Sequence, residues 1–117
     1  MLLSEVIQAL QLTCLTQMSE GDVPVKLGYA ADLLSDVMGN AVPGSIWVTL
    51  QCHPNVVAVA SLLNLAAVVI VGKAVPDQQT LQKAEQAGVT LLRSQYTAFE
   101  TIGRLYQLGI SGASRDD

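Results

Sequence analysis

The chain is poor in rings, in charge and in the side chains that do covalent chemistry. One Trp, one Phe and three Tyr make up 4% of its 117 residues, so a core must be built from Val, Leu, Ile and Ala. Charged residues are only 14%, and the net charge is −4. The basic residues Lys26, Lys73, Lys83, Arg93, Arg104 and Arg115 are scattered. They form no stripe able to displace counterions from a phosphate backbone, which argues against DNA or RNA as partner. So low a charged fraction also points to apolar surface covered by a partner, with a homodimer the first expectation. Cys14 and Cys52 are the only cysteines. They provide neither a disulfide framework nor a C-x-x-C pair. His53 is the single histidine, so no second His completes a triad, and one Cys–His pair falls short of the four ligands of a zinc site. No metal and no cofactor are expected.

Two further absences concern phosphate and membrane. There is no G-x-x-x-x-G-K-[ST] and no G-x-G-x-x-G; "VGKAVPD" has one Gly before its Lys and no hydroxyl behind it, so no nucleotide-triphosphate machinery is legible. The longest apolar run, residues 56–71, is broken by Ser61 and Asn64 and is too short to span a bilayer. "MLLSEVIQALQL" lacks the basic start and cleavage site of a signal peptide. The expectation is a cytoplasmic protein with reduced thiols and no membrane association.

What is present reads as a single α/β domain over residues 1–110, followed by a polar, disordered tail at 111–117. Ser4 caps a short opening helix, with Val6, Ile7 and Leu10 on one face. "LTCLT" is a strand, followed by the polar turn "QMSEGD". Pro24 keeps the next segment extended. Ala31 or Asp32 opens a helix that stops at Gly39-Asn40. After the Pro43-Gly44 turn, "SIWVTL" is a strand carrying Trp47, a core or an interface residue. Pro54 starts a helix that is apolar nearly all round. "AAVVIVG" does not alternate, as expected of a strand covered on both faces. A polar helix follows from Pro76-Asp77 to Gly88, then the strand "VTLLRS". The last helix has Thr97 and Glu100 in capping-box spacing and an apolar stripe of Ala98, Ile102 and Leu105, flanked by Phe99 and Tyr106. Strands and helices alternate from Ser45 onward. Right-handed crossovers then give a three-layer α/β/α domain with a mainly parallel central sheet.

The candidate chemistry gathers at Cys52-His53-Pro54-Asn55. This turn joins the C-terminal end of a strand to a helix N-terminus, where open α/β sheets bind ligands and backbone N–H groups attract anions. It is a helix-starting turn, a ligand or interface contact, or a reactive thiolate at Cys52; adjacency in sequence makes a Cys–His dyad the weakest of the three, and no catalytic residue is assigned. Asp32 and Asp36, one helical turn apart, share a face. They are a solvated pair or, less simply, hydrogen-bond acceptors for a ligand. The candidate ligand-binding set is Gln51, Cys52, His53 and Asn55, with Tyr29, Asp32, Ser35 and Asp36 nearby.

"GYAADLLSDVM" (28–38), the Pro43-Gly44 turn before a strand, the strand–turn–helix around Cys52, the "PD…L" helix and "TAFET" (97–101) together resemble the DRTGG domain family. The likeness runs from about Leu2 to Ile110 and includes similarity to the N-terminal domain of HPr kinase/phosphorylase. The family's Asp-Arg-Thr turn falls where this chain reads Cys52-His53-Pro54. The resemblance implies a bacterial regulatory or interaction module without kinase chemistry, since that chemistry belongs to a separate P-loop domain. It further implies self-association as a dimer and a small anionic metabolite or nucleotide as ligand. Family context adds a protein partner, an anti-sigma-type ATPase or a hydrogenase-related complex, to be served as an adaptor. A small enzyme or redox protein using Cys52 is the remaining alternative.

Overall fold

The computed structural model of the chain describes residues 1–18 and 22–112. The described residues form five strands, alternating with helices from β2 onward: β1 (Thr13–Cys14), β2 (Gly28–Ala30), β3 (Ile46–Thr49), β4 (Ala67–Ile70) and β5 (Leu91–Arg93). The helices are α1 (Leu3–Leu10), α2 (Leu34–Asn40), α3 (Pro54–Leu62), α4 (Gln78–Ala87) and α5 (Ala98–Gln107). The sheet order is β1-β5-β4-β3-β2, with β2 to β5 parallel and β1 antiparallel to β5.

From β2 to β5 each strand lies beside its predecessor, so successive right-handed crossovers step in one direction and place their helices on one face. That layer is α2, α3 and α4; α1 and α5 cover the other. Alternation along the strands divides the core accordingly. Ile46, Val48, Ala67, Val69 and Leu92 join Leu3, Val6, Leu10 and Leu105 on the α1/α5 side. Trp47, Val68, Ile70 and Leu91 join Val37, Val56, Val57, Ala60 and Ala84 on the other. Trp47 is fully buried, its indole N–H donating to Ala31 O at 2.8 Å, which makes it a core residue. The architecture inferred from the apolar runs is the one observed.

Local signals explain most helix ends. Pro54 is the first residue of α3. Asp77 accepts from Thr80 N–H at the start of α4, and Gly88 ends it at φ +71°. Thr97 accepts from Glu100 N–H, while the Glu100 carboxylate pairs with Arg104 at 2.9 Å instead of completing a capping box. Two helix starts differ from expectation. α1 begins at Leu3, because the N–H and hydroxyl of Ser4 both go to the Asp22 carboxylate. α2 begins only at Leu34, since Asp32 is drawn to another part of the fold.

β1 is short, but its ladder is extended by a side chain. Beyond Leu15, Thr16 Oγ1 accepts from Leu91 N–H at 3.0 Å and lies 3.3 Å from Val89 O. Part of the expected turn after β1 (residues 19–21) and most of the polar tail (113–117) lie outside the described residues. The start of that tail is tied down: Gly28 N–H donates to Ser111 O at 3.0 Å.

Candidate functional site

Because β2 to β5 are parallel, their C-terminal ends and the loops that follow share one edge of the sheet, the edge where such folds hold ligands. Asp32, just after β2, turns its carboxylate away from α2 and toward β3. Its Oδ1 accepts from Thr49 Oγ1 at 2.9 Å and from Leu50 N–H at 2.8 Å. In return Gln51 Nε2 donates to Asp32 O at 3.2 Å. These bonds lock the β2–α2 turn to the β3–α3 turn.

Asp36 belongs to a different group. It accepts from the Tyr29 hydroxyl at 2.8 Å and from Asn40 Nδ2 at 3.0 Å. The sequence places Asp32 and Asp36 on one helical face; with α2 beginning at Leu34 they have separate partners and do not act as a pair. Ser35 is exposed on the first turn of α2. The expected set therefore divides into a turn cluster of Asp32, Gln51, Cys52, His53 and Asn55, and a Tyr29–Asp36 group at α2.

Within the turn, His53 caps α3 through its ring: Nδ1 accepts from Asn55 N–H at 3.2 Å. The Cys52 carbonyl accepts from Thr80 Oγ1 at 3.2 Å, so α4 also holds this turn. Burial pushes the Cys52 thiol above its ordinary range, with the nearby Arg93 charge opposing. That direction is the reverse of the one that activates a thiolate. The imidazole nitrogen facing the chain is committed to Asn55. Among the described residues no three His, Cys, Asp or Glu side chains stand close enough to hold a metal ion.

Arg93 and Thr80 are participants that motif reading passes over. Arg93 ends β5, and its guanidinium donates to Gly72 O and Ala74 O, both at 2.6 Å. It thereby fixes the β4–α4 loop. A lone arginine directly behind the apolar "VTLL" is the signal that marks it: a charged group at a strand end. Two hollows adjoin the edge. One of about 190 Å³ lies between the β2 and β3 ends and α5, with Asp32, Leu50, Val71 and Ile102 in its wall. A larger open groove of about 590 Å³ runs from Pro54 and Asn55 between α3 and α4 to Lys83. The larger one is of ligand-pocket size, but it leaves the sheet edge and lies along the helix surface.

A family model for the DRTGG domain matches residues 5–108. The chain belongs to the DRTGG domain family. The fold of this DRTGG domain is similar to that in the crystal structure of the CBS and DRTGG domains of the regulatory region of Clostridium perfringens pyrophosphatase, complexed with its activator, diadenosine tetraphosphate. The two superpose with a TM-score of 0.73 at 16% identity, covering 90% of this chain and 46% of that one. No curated protein matches the sequence. The DRTGG domain's strand-end edge thus carries a capping imidazole and turns interlocked by hydrogen bonds.

Proposed function

We propose that this DRTGG domain is a non-catalytic regulatory module of the bacterial cytoplasm that self-associates and senses a small anionic metabolite or nucleotide at its strand-end turns. The observation that carries the reading is the linkage of those turns. Asp32 ties β2–α2 to β3–α3, and Thr80 ties β3–α3 to α4. An anion drawn to the start of α3 takes over the Asn55 N–H from His53 and releases the ring, so the interlocked loops register its arrival. Gln51, Cys52, His53 and Asn55 form the contact and Asp32 holds their turn in place, while Tyr29, Ser35 and Asp36 form a separate rim at α2. The nucleotide held by the Clostridium regulatory region makes diadenosine tetraphosphate a rational probe. The suggested kinship with the N-terminal domain of HPr kinase/phosphorylase fits the same regulatory role.

Native mass spectrometry and calorimetry with diadenosine tetraphosphate test the proposal. Binding by the wild type, weakened in His53→Ala with the melting temperature held within a few degrees, supports it. Unchanged affinity in His53→Ala removes His53 from the site, and absence of any binding rejects this nucleotide. A second reading, an adaptor for an anti-sigma-type ATPase or a hydrogenase-related complex, is favoured by the outer surface of α3. No residue of that helix is charged, and Leu62 beside the long groove is 68% exposed.

A further inference from the structure

We propose that the outward face of α5 is the surface through which two copies of this chain pair, their α5 helices packed antiparallel about a two-fold axis beside Ile102 and Gly103. The inference rests on the self-association proposed above and assigns its surface. In a chain with a single phenylalanine, that residue is the most exposed large apolar side chain described, Phe99 at 88%. Ile102 and Tyr106 are exposed on the same side, at 40% and 67%. The other side of the helix, with Thr101 and Leu105, is buried. Aromatic residues concentrate where interfaces gain most of their binding energy.

The spacing is self-complementary. In an antiparallel pair centred between residues 102 and 103, Phe99 lies opposite Tyr106 of the second copy, and Ile102 lies opposite its Gly103. Each contact occurs twice, as a two-fold axis requires. Gly103 sits mid-helix, where glycine is less stable than alanine, and an added Cβ would meet nothing within 4 Å. Nothing among the described residues accounts for it; a second backbone crossing there does. Beside Tyr106, a cleft of about 130 Å³ walled by Ala30, Ile102, Tyr106 and Ile110 receives the incoming Phe99 ring.

Charge and area agree with a second copy as the occupant. Such a partner brings the same charges, so the shared face must be neutral or self-compensated. The four face residues are uncharged, and the flanking Glu100 and Arg104 neutralise each other. At about 150–250 Å² per ring, Phe99 and Tyr106 supply roughly 300 Å² per protomer at their 88% and 67% exposure. A standard interface takes about 800 Å² per partner, so the contact also includes the rest of the face and the cleft walls.

Sedimentation velocity over a dilution series of the full chain, as wild type, Phe99→Glu and Gly103→Ala, tests the surface. The wild type is expected to dimerise, and Phe99→Glu to weaken the dimer roughly thirtyfold or more. Gly103→Ala is expected to melt higher when dilute and monomeric, yet to dimerise more weakly. That opposition of sign separates a lost contact from a damaged fold. A dimer unchanged in both variants overturns this surface and leaves the regulatory reading standing. A wild type monomeric at every concentration overturns the surface and self-association together, while nucleotide calorimetry still reports on the ligand site.

Discussion

Replacing Asp32 with Ala separates a carboxylate that holds the fold from one kept open for a ligand. The substitution removes the acceptor of two hydrogen bonds, one from Leu50 N–H and one from Thr49 Oγ1. Bonds to a charged group contribute about 1.5–3 kcal/mol each when sheltered; Asp32 is exposed, so about 1 kcal/mol each is the appropriate scale. Thr49 is only 2% exposed, and its hydroxyl loses the acceptor Asp32 Oδ1. The expected loss is therefore about 2 kcal/mol, a fall in melting temperature of roughly 6–12 °C for a domain of this size. Asp32→Asn keeps the acceptor oxygen and is expected to lose under about 1 kcal/mol. Urea unfolding followed by Trp47 fluorescence is the assay, since this buried indole is bonded to Ala31, the residue before Asp32. A cycle with Thr49→Val isolates the shared bond: the double variant should fall short of additivity by about 1 kcal/mol. Wild-type stability in Asp32→Ala, or full additivity with Thr49→Val, would refute the reasoning and return Asp32 to the role of an uncommitted acceptor.

Two further outcomes are expected. In native protein the exposed Cys14 is alkylated ahead of Cys52, whose rate gains most only above the ordinary thiol range because burial raises its pKa; rapid modification of Cys52 below neutral pH, read by peptide mass, would restore the enzyme or redox alternative. Hydrogen bonds from Thr80 N–H and then the Thr80 hydroxyl hold the Asp77 carboxyl below its usual range. A lowered folded-state pKa contributes stability that is complete above the unfolded value of about 3.9 and is lost as pH falls through the folded one. Asp77→Asn should accordingly flatten the acid limb of the stability–pH curve, and an unaltered limb would show that the cap carries no proton linkage.

The layers of this domain were legible because its strands lack alternation and its helices carry ordinary stop and start residues; Pro54, Asp77, Gly88 and Thr97 act as their types suggest. What escaped were tertiary captures. Asp32 looks like a helix opener until Leu50 N–H, 18 positions away, claims it. Arg93 serves two carbonyls, and backbone acceptors leave no trace in side-chain patterns. The expected α5 stripe holds for Ala98 and Leu105, which pack inward, and fails at Ile102, which is 40% exposed. Periodicity locates Ala98, Ile102 and Leu105 on one side, but Thr101 is buried because Ser94 Oγ lies 2.8 Å from its hydroxyl. A satisfied polar residue thus takes an inner position and leaves Ile102 at the outer edge of the stripe.

The placement of β1 orders events in time. Strands β2 to β5 can assemble by neighbour joining neighbour, each closing a loop of modest length. β1 must wait, because Thr13 and Cys14 pair with Arg93 and Leu92, and Thr16 completes the ladder only when Leu91 is in place. Within this domain the segment synthesised first is thus the last to find its berth. Leu3, Val6 and Leu10 of α1 likewise wait for β3 and β4, whose Ile46, Val48, Ala67 and Val69 share their core. Until those strands follow, this apolar face of α1 is uncovered, the condition in which a nascent domain is prone to aggregate.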